Sequence, residues 1–375
     1  MTLTVADVAK VMESFAPASL AEGWDNVGLQ VGHRDWPVRK IRVALDPAPK
    51  VVAEACREGA DLLITHHPFI FNPLKAIDFA SNEGAIVQAA CKSRLSIFCA
   101  HTNYDSACGG LNDLFAEKLG LLDVRPLTGK TSLPTSAKCK LVVFVPAEYA
   151  KRVKSALFET DVGNIGGYRC CSFSTRGRGT FVSSETAKPF SGNLGELTQS
   201  DEIRVEVIAQ QGQVAEVLSR IRRVHPYETM AYDIYPLLSS HEVPGIGRTG
   251  AIEKPMTLQR YAAEVKRRLG VSSLRVCGEK DLLLERAAVC TGSGGSLLKD
   301  FFSSGAQVYI SGDMRYHDAR AIEEAGLGLI DVGHFASEHL IVDALVRRLQ
   351  GVFLQNGVCV DIAPCELEKE PFQIL

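Results

Sequence analysis

This chain lacks the features that mark a secreted, membrane-spanning or nucleic-acid-coating protein. No apolar run approaches the ~20 residues needed to cross a bilayer. The opening stretch, Met1 to Lys10, has no basic segment followed by an apolar one, so no secretory signal is expected. Neither sign of charge dominates: 41 Lys and Arg against 44 Asp and Glu leave a net −3, too little to recruit nucleic acid or an anionic membrane. The 11 cysteines are odd in number and form no C-x-x-C pair. A disulfide framework is therefore not expected. Cys99, Cys139, Cys290 and Cys359 sit in apolar, strand-like runs and read as reduced, buried thiols of a cytoplasmic protein. The adjacent Cys170 and Cys171 read as strand packing rather than a redox pair. P-loop and dinucleotide fingerprints are also missing. The glycine-rich stretch Thr291 to Ser296 matches neither. Its amides can cradle a phosphate, but a tight turn needing glycine is the simpler reading.

What is present is an internal repeat. With 375 residues, 46% hydrophobic and 23% charged, the chain suits two or three globular domains. Ile41 to His67 and Ala287 to Asp313 align without a gap. Each reads as an apolar strand, a turn, an amphipathic helix, a Gly-Ala turn and a second apolar strand. Such units build parallel sheets with helices on their faces. The parallel continues. Helix-like runs (Glu83 to Ser93; Asp318 to Ala325) precede strands (Leu95 to Ala100; Leu327 to Val332), and each strand ends at a histidine with a carboxylate four residues on: His101 and Asp105, His334 and Glu338. Helices are then expected over Leu111 to Leu119 and His339 to Leu349. The expected architecture is α/β, with two related lobes at 1–130 and 248–375.

Between them, 131–247 reads as an inserted α+β domain bordered by turn residues. Strands are expected at Lys140 to Val145, Tyr168 to Thr175, Gly179 to Ser183, Ile203 to Ala209 and Ala231 to Pro236. Helices are expected at Ala147 to Glu159 and Gln213 to Val224. The pattern is that of the ferredoxin-like βαββαβ unit.

The chemistry gathers at strand ends. His66 and His67 close an apolar strand just before Pro68, where ligands bind in open α/β sheets. Neutral imidazoles there are good transition-metal ligands, although one packed and one solvated histidine is an equal reading. Asp105 can bridge two ions or cap the following helix. His334 and Glu338 share a helix face at i, i+4 spacing, weak evidence alone. The strength lies in the set, which converges if the lobes pack about a pseudo-twofold axis. Asp313 aligns with His67 in the repeat. Asp313 and His317 read as turn and helix residues slightly ahead of cavity-lining ones.

The T-H-H-P, H-T-N-x-D and G-H-x-x-x-E signatures, together with Trp24 to Leu29 (W-D-N-V-G-L), occur in order along nearly the whole chain. In this the sequence resembles the GTP cyclohydrolase 1 type 2 homolog family, the Ngg-interacting factor three-like proteins. The resemblance implies a dinuclear centre between two α/β lobes, with His66, His67, Asp105, His334 and Glu338 as ligands. It implies two divalent ions per protomer (zinc, iron or manganese suit the donors equally), a ring-shaped homohexamer, and hydrolysis of a small molecule or nucleotide such as GTP. His101 would shuttle a proton or orient a ligand. The alternative is a metal-binding scaffold or regulator whose insert senses a small ligand. His225 to Thr229 and Tyr232 to Pro236 resemble the PII/CutA-like insert of the longer bacterial members.

Overall fold

The computed structural model describes residues 2–128, 138–237 and 244–373. The chain divides into two compact units, Met1–Lys130 with His241–Leu375, and Thr131–Ser240. The expected boundary residues 130 and 131 lie outside the described residues. Gly247, expected as the end of the insert, belongs to the first unit: Leu127 N–H donates to its carbonyl (3.1 Å).

In the first unit the repeat is a repeat of structure. Lys40–Ala44 runs parallel to Leu62–Thr65 with Ile41 opposite Leu62, and Leu283–Ser293 runs parallel to Val308–Gly312 with Ala287 opposite Val308. Both pairs therefore keep the register that the gapless alignment requires. The third strands, Ser96–Cys99 and Gly328–Asp331, add in parallel on the same side. Each three-stranded block carries an antiparallel edge strand, Gly28–Val31 on one and Arg275–Cys277 on the other. The central strands Leu62–Thr65 and Val308–Gly312 are buried throughout, which is why they read as unbroken apolar runs rather than alternating ones. Pro at the first turn starts the helix Pro49–Arg57, and Val51, Val52 and Ala55 turn its apolar face onto the sheet.

The lobes are not separable at the expected residues. Leu121–Pro126, from the first segment, pairs with Arg248–Thr257 at the edge of the second, six-stranded sheet. Asp361–Pro364, near the end of the chain, pairs in parallel with Lys40–Ala44 at the edge of the first, five-stranded sheet. Helices cross as well. Ile341, Val342 and Leu345 of Leu340–Gln355 pack with Ile41, Val43, Leu62 and Ile64. Phe115 and Ala116 of Leu111–Lys118 pack with Val289, Ile310 and Ile330. Each lobe closes part of the other's core, so neither buries its apolar surface alone.

The second unit has the element order βαββαβ and an antiparallel four-stranded sheet. In spatial order its strands are Ser172–Val182, Leu197–Gln210, Lys138–Pro146 and Tyr232–Pro236. Helices Ala150–Phe158 and Val214–Arg222 bury Val153, Leu157, Val217 and Ile221 in a core with Leu141, Val143 and Val205. The two strands expected around 168–175 and 179–183 are one. Gly177, at the expected break, pairs with Glu202 in an unbroken ladder; glycine punctuates a strand only when its partner strand does not hold it extended. Cys170 has a left-handed φ of 57° and precedes this strand instead of packing within it. Cys359 is exposed, not buried as expected, whereas Cys99, Cys139 and Cys290 are buried. Among the described residues no helix is long and apolar enough to cross a membrane.

The ends of the first unit that flank the insert are paired with each other. Thr128 N–H donates to Ile246 O and Ile246 N–H to Thr128 Oγ1, both at 3.1 Å. A short Gly/Ser linker replacing 131–240 should therefore give a folded core with wild-type metal content by elemental analysis. Insoluble or metal-free protein would make the insert part of the core.

Candidate metal centre

Five of the expected residues, with His101, converge at the carboxyl ends of the parallel strands. His66 follows Leu62–Thr65 and is fully buried. Its Nδ1 faces Ala100 O at 2.9 Å. A carbonyl only accepts, so Nδ1 carries a proton and Nε2 is the atom left free to take a second proton or a cation. That Nε2 is buried without a hydrogen-bond partner. It lies 3.7 Å from Asp105 Oδ1 and 3.8 Å from Glu338 Oε1, too far to hydrogen-bond. Burial disfavours a positive charge on this ring, but the two carboxylates outweigh it and raise its proton affinity. A buried, unpartnered ring nitrogen aimed between two carboxylates is a place that a cation would satisfy.

His67 Nε2, His334 Nε2 and Glu338 Oε2 form a second cluster. The separations are 2.9 Å (His67 to Glu338), 3.2 Å (His67 to His334) and 2.8 Å (His334 to Glu338). Donors around a small ion bound at roughly 2.0–2.1 Å are themselves about 3 Å apart, so these separations fit one. The ligand atoms of His66, His67 and His101 also lie within 4.8 Å of one another. Against burial, hydrogen bonds to Asp46 and Glu338 bring His67 up to about 10, and Glu338 above all brings His334 to about 9. Burial works against ionised Glu338 too, yet contacts with His334, His66 and His67 hold it well below the usual carboxylate range. Asp105 goes the other way: burial raises it, and nearby Glu338 adds to the rise.

Each imidazole is anchored from behind. Nδ1 of His67 meets Asp46 Oδ1 at 2.7 Å, that of His101 meets Asp25 Oδ1 at 2.9 Å, and that of His334 meets Asp313 Oδ2 at 2.8 Å. Such partners fix the tautomer and ring orientation of metal-binding histidines. Asp25 also accepts from Thr102 N (3.1 Å) and Oγ1 (2.5 Å). Burial would raise it, but the bonds from His101 and Thr102 bring it down to about 2. The Asp46 turn is fastened in its turn: Glu368, from the chain's end, accepts from Leu45 N and Asp46 N, each at 2.7 Å.

The glycine-rich stretch, expected as a tight turn, is the irregular end of the strand Leu283–Ser293 running into a short 3-10 helix at Gly294–Leu297, and it serves this centre. Gly292 has φ +60°, and a Cβ there would lie 2.1 Å from Glu338 Oε1. Ser337 Oγ accepts from Gly292 N (2.9 Å), and Ser311 Oγ accepts from Gly294 N (3.0 Å). Thr291 Oγ1 reaches Asp105 Oδ1 at 3.5 Å. Asp105 caps no following helix: it lies within Thr102–Ser106, and Gly110 precedes Leu111–Lys118. Asp313, read above as a turn residue, is a turn residue with φ 53° that also anchors His334. His317 is exposed beside Tyr316. Asp25, Asp46 and Glu368 act at the site although residue order alone gives them no role there. For Asp46 the available signal was a carboxylate two residues past a strand end; for Glu368 there was none.

The family profile described as Duf34/NIF3 (NGG1p interacting factor 3) matches residues 3–371. A GTP cyclohydrolase 1 type 2 homolog from Bacillus subtilis is 35% identical, covering 98% of each chain. Among solved structures, a Bacillus cereus protein related to NIF3 is 36% identical over 100% of both chains, with a TM-score of 0.79. A Staphylococcus aureus protein is 28% identical over 100% of this chain and 99% of its own, with a TM-score of 0.82.

Proposed function

This chain belongs to the Duf34/NIF3 family, and from that premise we propose that it holds two divalent metal ions and hydrolyses a small nucleotide-like molecule. His66, Asp105 and Glu338 Oε1 would hold one ion, and His67, His334 and Glu338 Oε2 the other. The observation that carries the reading is the unpartnered, buried Nε2 of His66 facing two carboxylates. Zinc, iron and manganese all suit imidazole and carboxylate donors. Bound ions supply Lewis acidity, polarising the substrate and acidifying water toward neutral pH. The chain's own groups do the rest. Glu338 spans both clusters and offsets charge. His101, pinned through Nδ1 by ionised Asp25, presents Nε2 beside His66 and His67, where it can take and return a proton.

Assembly as a ring-shaped homohexamer in the cytoplasm belongs to this proposal and rests on the family resemblance. So does a ferredoxin-like, PII/CutA-like identity for the insert, which its element order and sheet order support. A second reading, a metal-binding scaffold with a ligand-sensing insert, is favoured by the insert's having its own core. Turnover that disappears in Asp105→Asn separates the two.

His66→Ala should lower metal content by one equivalent per protomer while leaving the circular dichroism spectrum unchanged. The ring ends a strand and supports no ladder, so its loss removes a ligand and not the fold. Full metal by elemental analysis would make the assignment wrong.

A further inference from the structure

Beside the metal cluster lies an aromatic pair that neither the core nor the ligand set explains. Trp24 is 59% exposed and Phe71 is 53% exposed. Their rings are 5.8 Å apart, and Trp24 stands edge-on to His101 at 6.0 Å. Large aromatics left open to water in this way are the informative exception to burial. They are not loose. Next to Trp24, the Asp25 side chain is fully buried and holds both His101 and Thr102. Asn26 Nδ2 donates to Ile70 O at 2.6 Å, and Ile70 N donates to Gln30 Oε1 at 2.8 Å. Gln30 Nε2 returns to Asn26 O at 2.6 Å. The residues flanking both rings are thus tied to each other and to the site, while the rings stay open.

We propose that Trp24 and Phe71 form a stacking subsite for a planar unsaturated ring of the ligand whose polar end reaches the metal cluster. The proposal rests on the metal-centre reading. Ring faces at the rim complement the cluster: imidazoles and carboxylates take charged or polar groups, and an indole takes a flat, uncharged one. Trp24 touches His101, so a ring stacked there places its substituents within reach of that histidine. Asp25 therefore couples ring binding to the orientation of His101.

The test reads Trp24 directly. The chain has two tryptophans, and Trp36 is partly buried. In metal-loaded Trp36→Phe, guanosine and GTP should quench the remaining fluorescence saturably, and tripolyphosphate should not. If Trp36→Phe fails to fold, the difference between wild type and Trp24→Phe isolates the same signal. By calorimetry, Trp24→Ala should weaken GTP binding roughly ten- to a hundredfold, Trp24→Phe far less, with tripolyphosphate binding unchanged in both. Equal GTP affinity in wild type and Trp24→Ala overturns the subsite. So does an indole already shielded from acrylamide in the unliganded protein, which would make the pair a contact between copies of this chain. Metal content is measured in parallel: metal-free wild type sinks the metal reading, whereas full metal with no ring effect sinks only this subsite.

Discussion

Glu338→Gln should give a folded protein that has lost at least one metal equivalent per protomer, with any remaining ion bound at least about 100-fold more weakly and no hydrolytic turnover. Loss of partners one step removed from a metal already costs about 10–100-fold, so loss of a ligand sets a floor near the upper value. Glu338 is nearly fully buried, with Oε2 against His67 and His334 and Oε1 facing His66. The amide keeps its volume, so packing survives. It does not keep the charge, and two doubly charged ions are then left with Asp105 as their remaining close carboxylate. The control is Glu324→Gln, exposed on the helix Tyr316–Glu324, which should change neither metal content nor turnover. Wild-type stoichiometry in Glu338→Gln would mean that the two halves of the repeat do not share a site.

Gly292→Ala should be nearly as damaging without replacing a ligand. A methyl group would lie 2.1 Å from Glu338 Oε1 and 3.5 Å from His334 Cε1. The backbone at φ +60° adds about 1–3 kcal/mol of strain for any residue with a Cβ. Glu338 cannot swing clear while His67 and His334 hold its other oxygen. Metal content should therefore fall and the melting temperature should drop by a few degrees. Gly295→Ala, in the 3-10 helix that follows and without a positive φ, should do neither, because its nearest neighbour is the Asp318 carboxylate at 3.1 Å, which is no part of the cluster. An unchanged metal ratio in Gly292→Ala would show that this glycine is not needed to seat Glu338.

Much of this protein is legible in the order of its residues. The period of apolar positions locates the parallel strands and their helices, because a buried strand and an amphipathic helix each impose a local pattern. The gapless repeat even carries the strand register, since Ile41 to Leu62 and Ala287 to Val308 span equal lengths of chain. The residue types that close the strands, His66, His67, Asp105, His334 and Glu338, declare the chemistry available there.

Tertiary structure alone decided the rest. Nothing local in Leu121–Pro126 or Asp361–Pro364 says that each completes the sheet of the other half, because pairing partners are chosen by closure of a shared core and not by strand propensity. The same holds for the carboxylates behind the imidazoles. Asp25 lies 76 residues from His101, and Glu368 lies 322 from the Asp46 amide it accepts. A hydrogen bond leaves no periodic trace in sequence. Which acid reaches which ring nitrogen is settled only when the loops of each half fold over its own strand ends, since Asp25 with His101, Asp46 with His67 and Asp313 with His334 each meet within one half.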